Sequence, residues 1–244
     1  MLGTLIYHID LSSQEVSLDL VVSDSAVMEM TSQNRLIESP RTSILCQSNP
    51  PMPRSDSCFE VIIENVVACA NLHQSIDLES IARILPTAQY KPDQFPGLVY
   101  RLRNPQVSVL VFRTGKLVVA GAKSENKAKR AVLKLIEELK TSGIVILGKP
   151  DTAITNIVAS ANLNHRIDLE DAANSIEGTI YEPDQFPGLI YRSKDPKVAI
   201  LIFSSGKLVC AGASSEADVL TAINKLHELL VSRGLMPNIQ SLPR

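Results

Sequence analysis

The heptapeptide Pro92-Asp93-Gln94-Phe95-Pro96-Gly97-Leu98 returns without a change as Pro183-Asp184-Gln185-Phe186-Pro187-Gly188-Leu189. Outward from it, the same offset of 91 residues carries Asn65-Val66-Val67-Ala68 onto Asn156-Ile157-Val158-Ala159. It also carries Ile76–Glu79 onto Ile167–Glu170 and Gly115–Val118 onto Gly206–Val209. About half of positions 65–143 match their partners, and no gap is needed. The period is longer than the roughly 20–50 residues of solenoid units. It reads as a duplicated half-domain with an internal pseudo-two-fold axis, a symmetry that suits a two-fold partner such as duplex DNA.

Each half carries the same series of signals. Val61–Leu72 is rich in β-branched residues and reads as a strand. Asp77 opens a short helix that runs to Leu85. Tyr90–Phe95 reads as a strand entering a Pro-containing turn. Leu98–Leu102 and Val107–Phe112 are strands joined by Arg103-Asn104-Pro105-Gln106. A tight loop at Arg113–Lys116 leads into Leu117–Ala122. Ser124 then caps a long helix that ends near Gly143, with Ala128, Ala131, Val132, Leu135, Ile136 and Leu139 on one face. In the second half the corresponding face holds Val219, Ala222, Ile223, Leu226 and Leu230. The fold class is therefore α+β: two related halves fused into one antiparallel sheet with helices on one side. The expected units are residues 58–149, residues 150–244 and an N-terminal extension, 1–57.

The strands are apolar on both faces, whereas a sheet face that meets water should be polar. Val118 and Ala120 alternate with Leu117 and Val119, and Leu110 and Phe112 with Val109 and Val111. Leu201 and Phe203, and Val209 and Ala211, repeat the pattern. Two helices per half cover one layer, so the other face is an apolar patch that needs a partner. A second protein layer or a second copy of the chain would satisfy it. The rim, however, is cationic: Arg101, Arg103, Lys116 and Lys123 in the first half, Arg192, Lys194 and Lys207 in the second. An apolar floor with a cationic border fits a minor groove, with sugars and base edges on the floor and phosphates at the border. Asn65 and Asn156, in otherwise apolar strands, can donate to adenine N3 or thymine O2.

With these motifs the chain resembles the TATA-box-binding protein family, and its symmetric halves look most like the archaeal form. The resemblance covers about residues 59–234. It rests on Asn-hydrophobic-Val, Pro-x-x-Phe-Pro-Gly-Leu-x-Tyr-Arg, Phe-x-x-Gly-Lys-hydrophobic-Val and Gly-Ala-x-Ser-Glu, each present twice. It implies a curved saddle, concave sheet against DNA and helices on the convex face, acting as a general transcription initiation factor. By the resemblance, Phe95 with Phe112 and Phe186 with Phe203 are wedges that partly unstack a base step at each end of the site. Unstacking costs about a few kcal/mol per step in minor-groove kinking proteins, this family among them. Flexible TA steps lower that cost. Asn65 and Asn156 match the central hydrogen-bonding pair. Val67, Val118, Val158 and Val209 match the floor, with Leu110 and Leu201 beside the wedges. Arg101, Arg192, Lys116 and Lys207 match the phosphate and sugar clamps. The implied partners are promoter DNA, transcription factor B docking around Glu182, Asp184 and Gln185, and indirectly RNA polymerase. The protein would be a monomer on DNA, with a dimer as an option off it. Its place would be the nucleoid-containing cytoplasm in an archaeon, or the nucleus in a eukaryote.

The chain departs from the family pattern at three places. Ala120 and Ala211 stand where the family usually has Thr, Ser214 replaces the counterpart of Lys123, and residues 1–57 have no counterpart in the compact archaeal form. A divergent paralogue, or a module of this fold used as a protein-interaction scaffold, is the alternative these features leave open.

Net charge is −2 overall, but residues 1–57 carry −4, 58–149 carry +5 and 150–244 carry −3. An anionic partner feels that polarity. The four cysteines, Cys46, Cys58, Cys69 and Cys210, have no zinc-like spacing. No nucleophile triad, phosphate loop or metal cluster points to an enzyme, so no cofactor is expected. No apolar run is long enough to span a membrane. In the extension, alternation at Leu5, Tyr7, Ile9 and Leu11 and at Val16, Leu18 and Leu20 suggests a hairpin, and residues 31–57 read as a linker.

Overall fold

Ten strands make one antiparallel sheet in a computed structural model that describes residues 60–237. The first half contains β1 (Val61–Asn71), α1 (Leu78–Ile84), β2 (Gln89–Tyr90), β3 (Gly97–Arg103), β4 (Gln106–Phe112), β5 (Lys116–Ala122) and α2 (Glu125–Thr141). The second repeats the series as β6 (Asp151–Asn162), α3 (Leu169–Ser175), β7 (Thr179–Ile180), β8 (Gly188–Lys194), β9 (Lys197–Phe203), β10 (Lys207–Ala213) and α4 (Glu216–Ser232). The strand order is β2-β3-β4-β5-β1-β6-β10-β9-β8-β7, which reads the same from either end once the halves are exchanged. The pseudo-dyad passes between β1 and β6. The hairpin and linker expected in residues 1–57 lie outside the described residues.

Local chemistry sets the element ends. Ser124 accepts the Lys127 N–H at 3.2 Å and Ser215 accepts the Asp218 N–H at 3.1 Å, so each long helix begins at a serine cap. Asp77 and Asp168 cap the short helices in the same way. Hydrogen bonds from the Ser80 side chain and the Ser80 and Glu79 backbone hold the Asp77 carboxyl down at about 2. α2 stops two residues before Gly143, which takes φ 87°. At the dyad the long helices cap each other. Glu216 accepts the Glu125 N–H at 3.2 Å, and Glu125 accepts the Glu216 N–H at 2.9 Å.

The core lies between the helices and one face of the sheet. All six residues expected to face inward from α2 are buried, as are the five expected from α4. They meet Val66, Ala68, Val109, Val111, Leu117 and Val119 in the first half, and Ile157, Ala159, Ile200, Ile202, Leu208 and Cys210 in the second. α4 also buries His227 at the position where α2 has Ile136, a polar member that the apolar pattern did not flag. Burial lowers the pKa of that imidazole and pushes the Cys210 thiol up to about 12.

The structure corrects one element. Tyr90–Phe95 is not a strand: β2 holds two residues, and the chain then turns, with the Gln94 and Phe95 N–H groups both donating to the Lys91 carbonyl. Pro92 and Pro96 have no N–H to give a ladder, which is why pairing stops there.

Candidate nucleic-acid interface

Directly opposed residues of antiparallel strands share a face, so the register assembles the second face. At the centre Asn65 opposes Val158 and Val67 opposes Asn156. Outward in the first half, Cys69 opposes Val118, Val118 opposes Leu110, Leu110 opposes Val99, and Phe112 opposes Gly97. In the second half Val158 opposes Ala211, Val209 opposes Ser160 and Leu201, Leu201 opposes Ile190, and Phe203 opposes Gly188. The expected floor residues thus share the face turned away from the helices, and none belongs to the core cluster.

Each β5–β1 and β10–β6 ladder carries an irregularity, at Val66/Ala68 and at Ala211/Ala213. There Gly121 and Gly212 sit at φ 96° and 97°. The bulge points the glycine N–H across the ladder, and the Asn65 and Asn156 carboxamide oxygens each accept it at 2.8 Å. A carboxamide whose oxygen is fixed by a backbone N–H has its orientation settled, and the group it offers to a ligand is the NH2 donor. That matches the A·T minor groove, which presents acceptors only.

The phenylalanines form two edge-to-face pairs. Phe95 and Phe112 are 5.8 Å apart at 63°, and Phe186 and Phe203 are 5.9 Å apart at 67°. All four are half-buried and lie outside the core. Gly97 and Gly188 make room: a Cβ there would stand 2.6 Å from Phe95 and 2.7 Å from Phe186. Arg101, Arg192 and Lys207 are exposed, and Lys116 is half-buried opposite Asn71. Glu182, Asp184 and Gln185 are exposed on the second Phe-bearing turn.

Two expectations change. The floor is not broadly uncovered: Val67 is 1 % exposed and Leu201 8 %. On a curved sheet the concave side chains crowd and shelter one another. Leu110, Val209 and the four Phe stay half-buried, and the most exposed large apolar side chains on this face are Ile62 and Ile180, which the sequence pattern did not single out. Ile62 opposes Ser160, and Ile180 extends the Ile190–Leu201–Val209 row to the sheet edge. Lys123 also differs. Its ammonium donates to the Glu64 carbonyl at 2.6 Å and to the Glu64 carboxylate at 3.1 Å. Glu64 accepts the Ser160 hydroxyl as well, so the rim cation is offset by a carboxylate.

Residues 60–142 and 151–232 each match the family described as "Transcription factor TFIID (or TATA-binding protein, TBP)". The chain belongs to the TATA-binding protein family. It is 53% identical over 174 residues to the TATA-box-binding protein of Pyrobaculum calidifontis, covering 71% of this chain and 87% of that one. It is 54% identical over 168 residues to that of Pyrodictium occultum, covering 69% and 84%. Among solved structures, the Methanococcus jannaschii TBP superposes with a TM-score of 0.66 at 48% identity, covering 71% of this chain and 99% of that one. The fold is that of the family, a saddle-like α+β sheet with duplicated halves. Membership places the chain among DNA-binding transcription factors rather than in an enzyme family. Among the described residues, no helix is long and apolar enough to cross a membrane, and no group of three or more His, Cys, Asp or Glu is placed to hold a metal ion.

Proposed function

We propose that this chain binds a TATA-type promoter element in the minor groove, kinks the duplex at both ends of the site, and nucleates transcription initiation there. The observation that carries this reading is the pairing of two repeat-related Phe pairs, one at each end of a floor whose centre holds two oriented NH2 donors. Phe95, Phe112, Phe186 and Phe203 wedge base steps. Val67, Val118, Val158, Val209, Leu110 and Leu201 meet sugars and base edges. Arg101, Arg192, Lys116 and Lys207 hold the backbone. Transcription factor B docks on Glu182, Asp184 and Gln185, where exposed carboxylates suit a basic surface, and brings RNA polymerase. The chain works as a monomer on DNA, in the nucleoid if its source is archaeal like its relatives. Off DNA the same face is open to a second copy, which light scattering with and without duplex reads directly.

The test is fluorescence transfer across a doubly labelled TATA duplex. Wild type should bring the ends together, while a G·C-rich duplex should bind at least tenfold more weakly. F186A/F203A should weaken binding and reduce the bend. An unchanged bend, or equal affinity for the two duplexes, overturns the reading. A gel shift on TATA DNA should gain a slower band with transcription factor B, and E182K/D184K should abolish it.

A further inference from the structure

On the outer flank of the first half lies an open groove of about 1330 Å³. It runs from the β3–β4 turn past the end of β5 to the first turns of α2. Arg101, Arg103, Lys123, Lys127 and Arg130 line it, and no carboxylate does. Lys123 is engaged by Glu64, but the other four cations form no ion pair among the described residues. We propose that this groove holds backbone phosphates of DNA at one end of the bound site, with Lys127 and Arg130 as the outermost contacts, and that the second half has no equivalent.

The repeat supplies an internal control. At the related positions Lys123 becomes Ser214, Lys127 becomes Asp218, Arg130 becomes Thr221 and Asn104 becomes Asp195. The Asp218 carboxylate accepts the Ser214 hydroxyl, the Asp218 N–H donates to the Ser215 cap, and Asp195 is tied to Lys225 at 2.9 Å. Two carboxylates therefore stand where a phosphate track would run, against the one added cation, Lys197, on that flank. A pseudo-symmetric duplex thus meets two unlike flanks. The occupant is nucleic acid rather than an acidic polypeptide for two reasons. The groove is continuous with the DNA-facing side, because Arg101, Ser108 and Ala120 belong to both. Its large apolar lining residues Leu102 and Val107 are buried and only Pro105 and Ala120 are part-exposed, so it lacks a large exposed apolar or aromatic side chain to anchor a protein partner.

The inference rests on the DNA-binding reading, and the experiment separates the two. Affinity is measured between 50 and 200 mM salt on a 30-bp TATA duplex and on a core duplex of about 12 bp, for wild type, K127E/R130E and the milder K127A/R130A. Footprints are taken on both strands of the long duplex. Each phosphate contact contributes about 0.9 to the salt slope. Wild type should therefore lose about tenfold more affinity than K127A/R130A across that range on the long duplex. Its footprint should extend further at one end, and the extension should vanish in both variants while core-duplex affinity stays put. If the core duplex itself fails to bind, the proposed function falls. If it binds but slope and footprint are indifferent to Lys127 and Arg130, this inference falls. Loss of binding to polyglutamate with DNA binding unchanged would likewise overturn it, assigning the groove to a protein.

Discussion

Asn65 and Asn156 show how one side chain can be committed twice. The oxygen is held by a glycine N–H of the neighbouring strand, so replacing the NH2 by a second oxygen keeps the acceptor and removes the donor, at a cost in stability because Asn156 is buried. N65D/N156D is therefore expected to melt below wild type yet stay folded at 25 °C, and to bind a TATA duplex at least 100-fold more weakly, since two hydrogen bonds of about 1.5 kcal/mol each are lost. A binding isotherm beside a melting curve checks both halves of that statement. His227 gives a pH prediction. Burial holds its pKa below the ordinary value in the folded chain, so the unfolded chain takes up the proton first. Its contribution to stability is intact above the unfolded value of about 6.5 and declines as pH falls below it. Melting temperatures at pH 7.5 and 5.0 should diverge in wild type, and the gap should narrow in H227I, which installs the residue found at position 136.

At the level of elements, the serine caps, the inward helix faces and most strands were legible in the sequence, because each is fixed by neighbours within a few residues. The repeat doubled every such signal. What escaped reading depends on distant parts of the chain. β2 is two residues long because prolines at 92 and 96 end its ladder. The shelter of Val67 and Leu201 comes from sheet curvature, which no local pattern encodes. The Lys123–Glu64 pair joins residues 59 positions apart, between the end of β5 and the neighbouring strand β1. The glycines under the aromatic pairs give the prediction here. G97A/G188A should keep the sheet, since both positions can take ordinary strand geometry, but displace Phe95 and Phe186 by the missing space. Near-wild-type circular dichroism with a smaller DNA bend is the expected pair of results.

Over the whole molecule the decisive property is near-symmetry with charged exceptions. The floors of the halves are almost the same, while the first flank is far more positive than the second, where Asp195 and Asp218 offset the cations. F95A/F112A and F186A/F203A should therefore cost similar amounts of bend, whereas the salt dependence should fall mainly on the first half. Comparing the bend of the two Phe double variants, and the salt dependence of K127A/R130A with that of wild type, on one labelled duplex tests that division.

The reciprocal glutamate caps of α2 and α4 have a mechanical meaning. The halves are joined by the β1–β6 ladder on one surface and by the crossed Glu125–Glu216 caps on the opposite one. Two attachments separated by the thickness of the protein resist flexing as the two flanges of a girder do, where either alone would act as a hinge. A stiff body pressed against a compliant rod leaves the rod to yield, so in the proposed complex it is the duplex rather than the polypeptide that would absorb the strain of their fit.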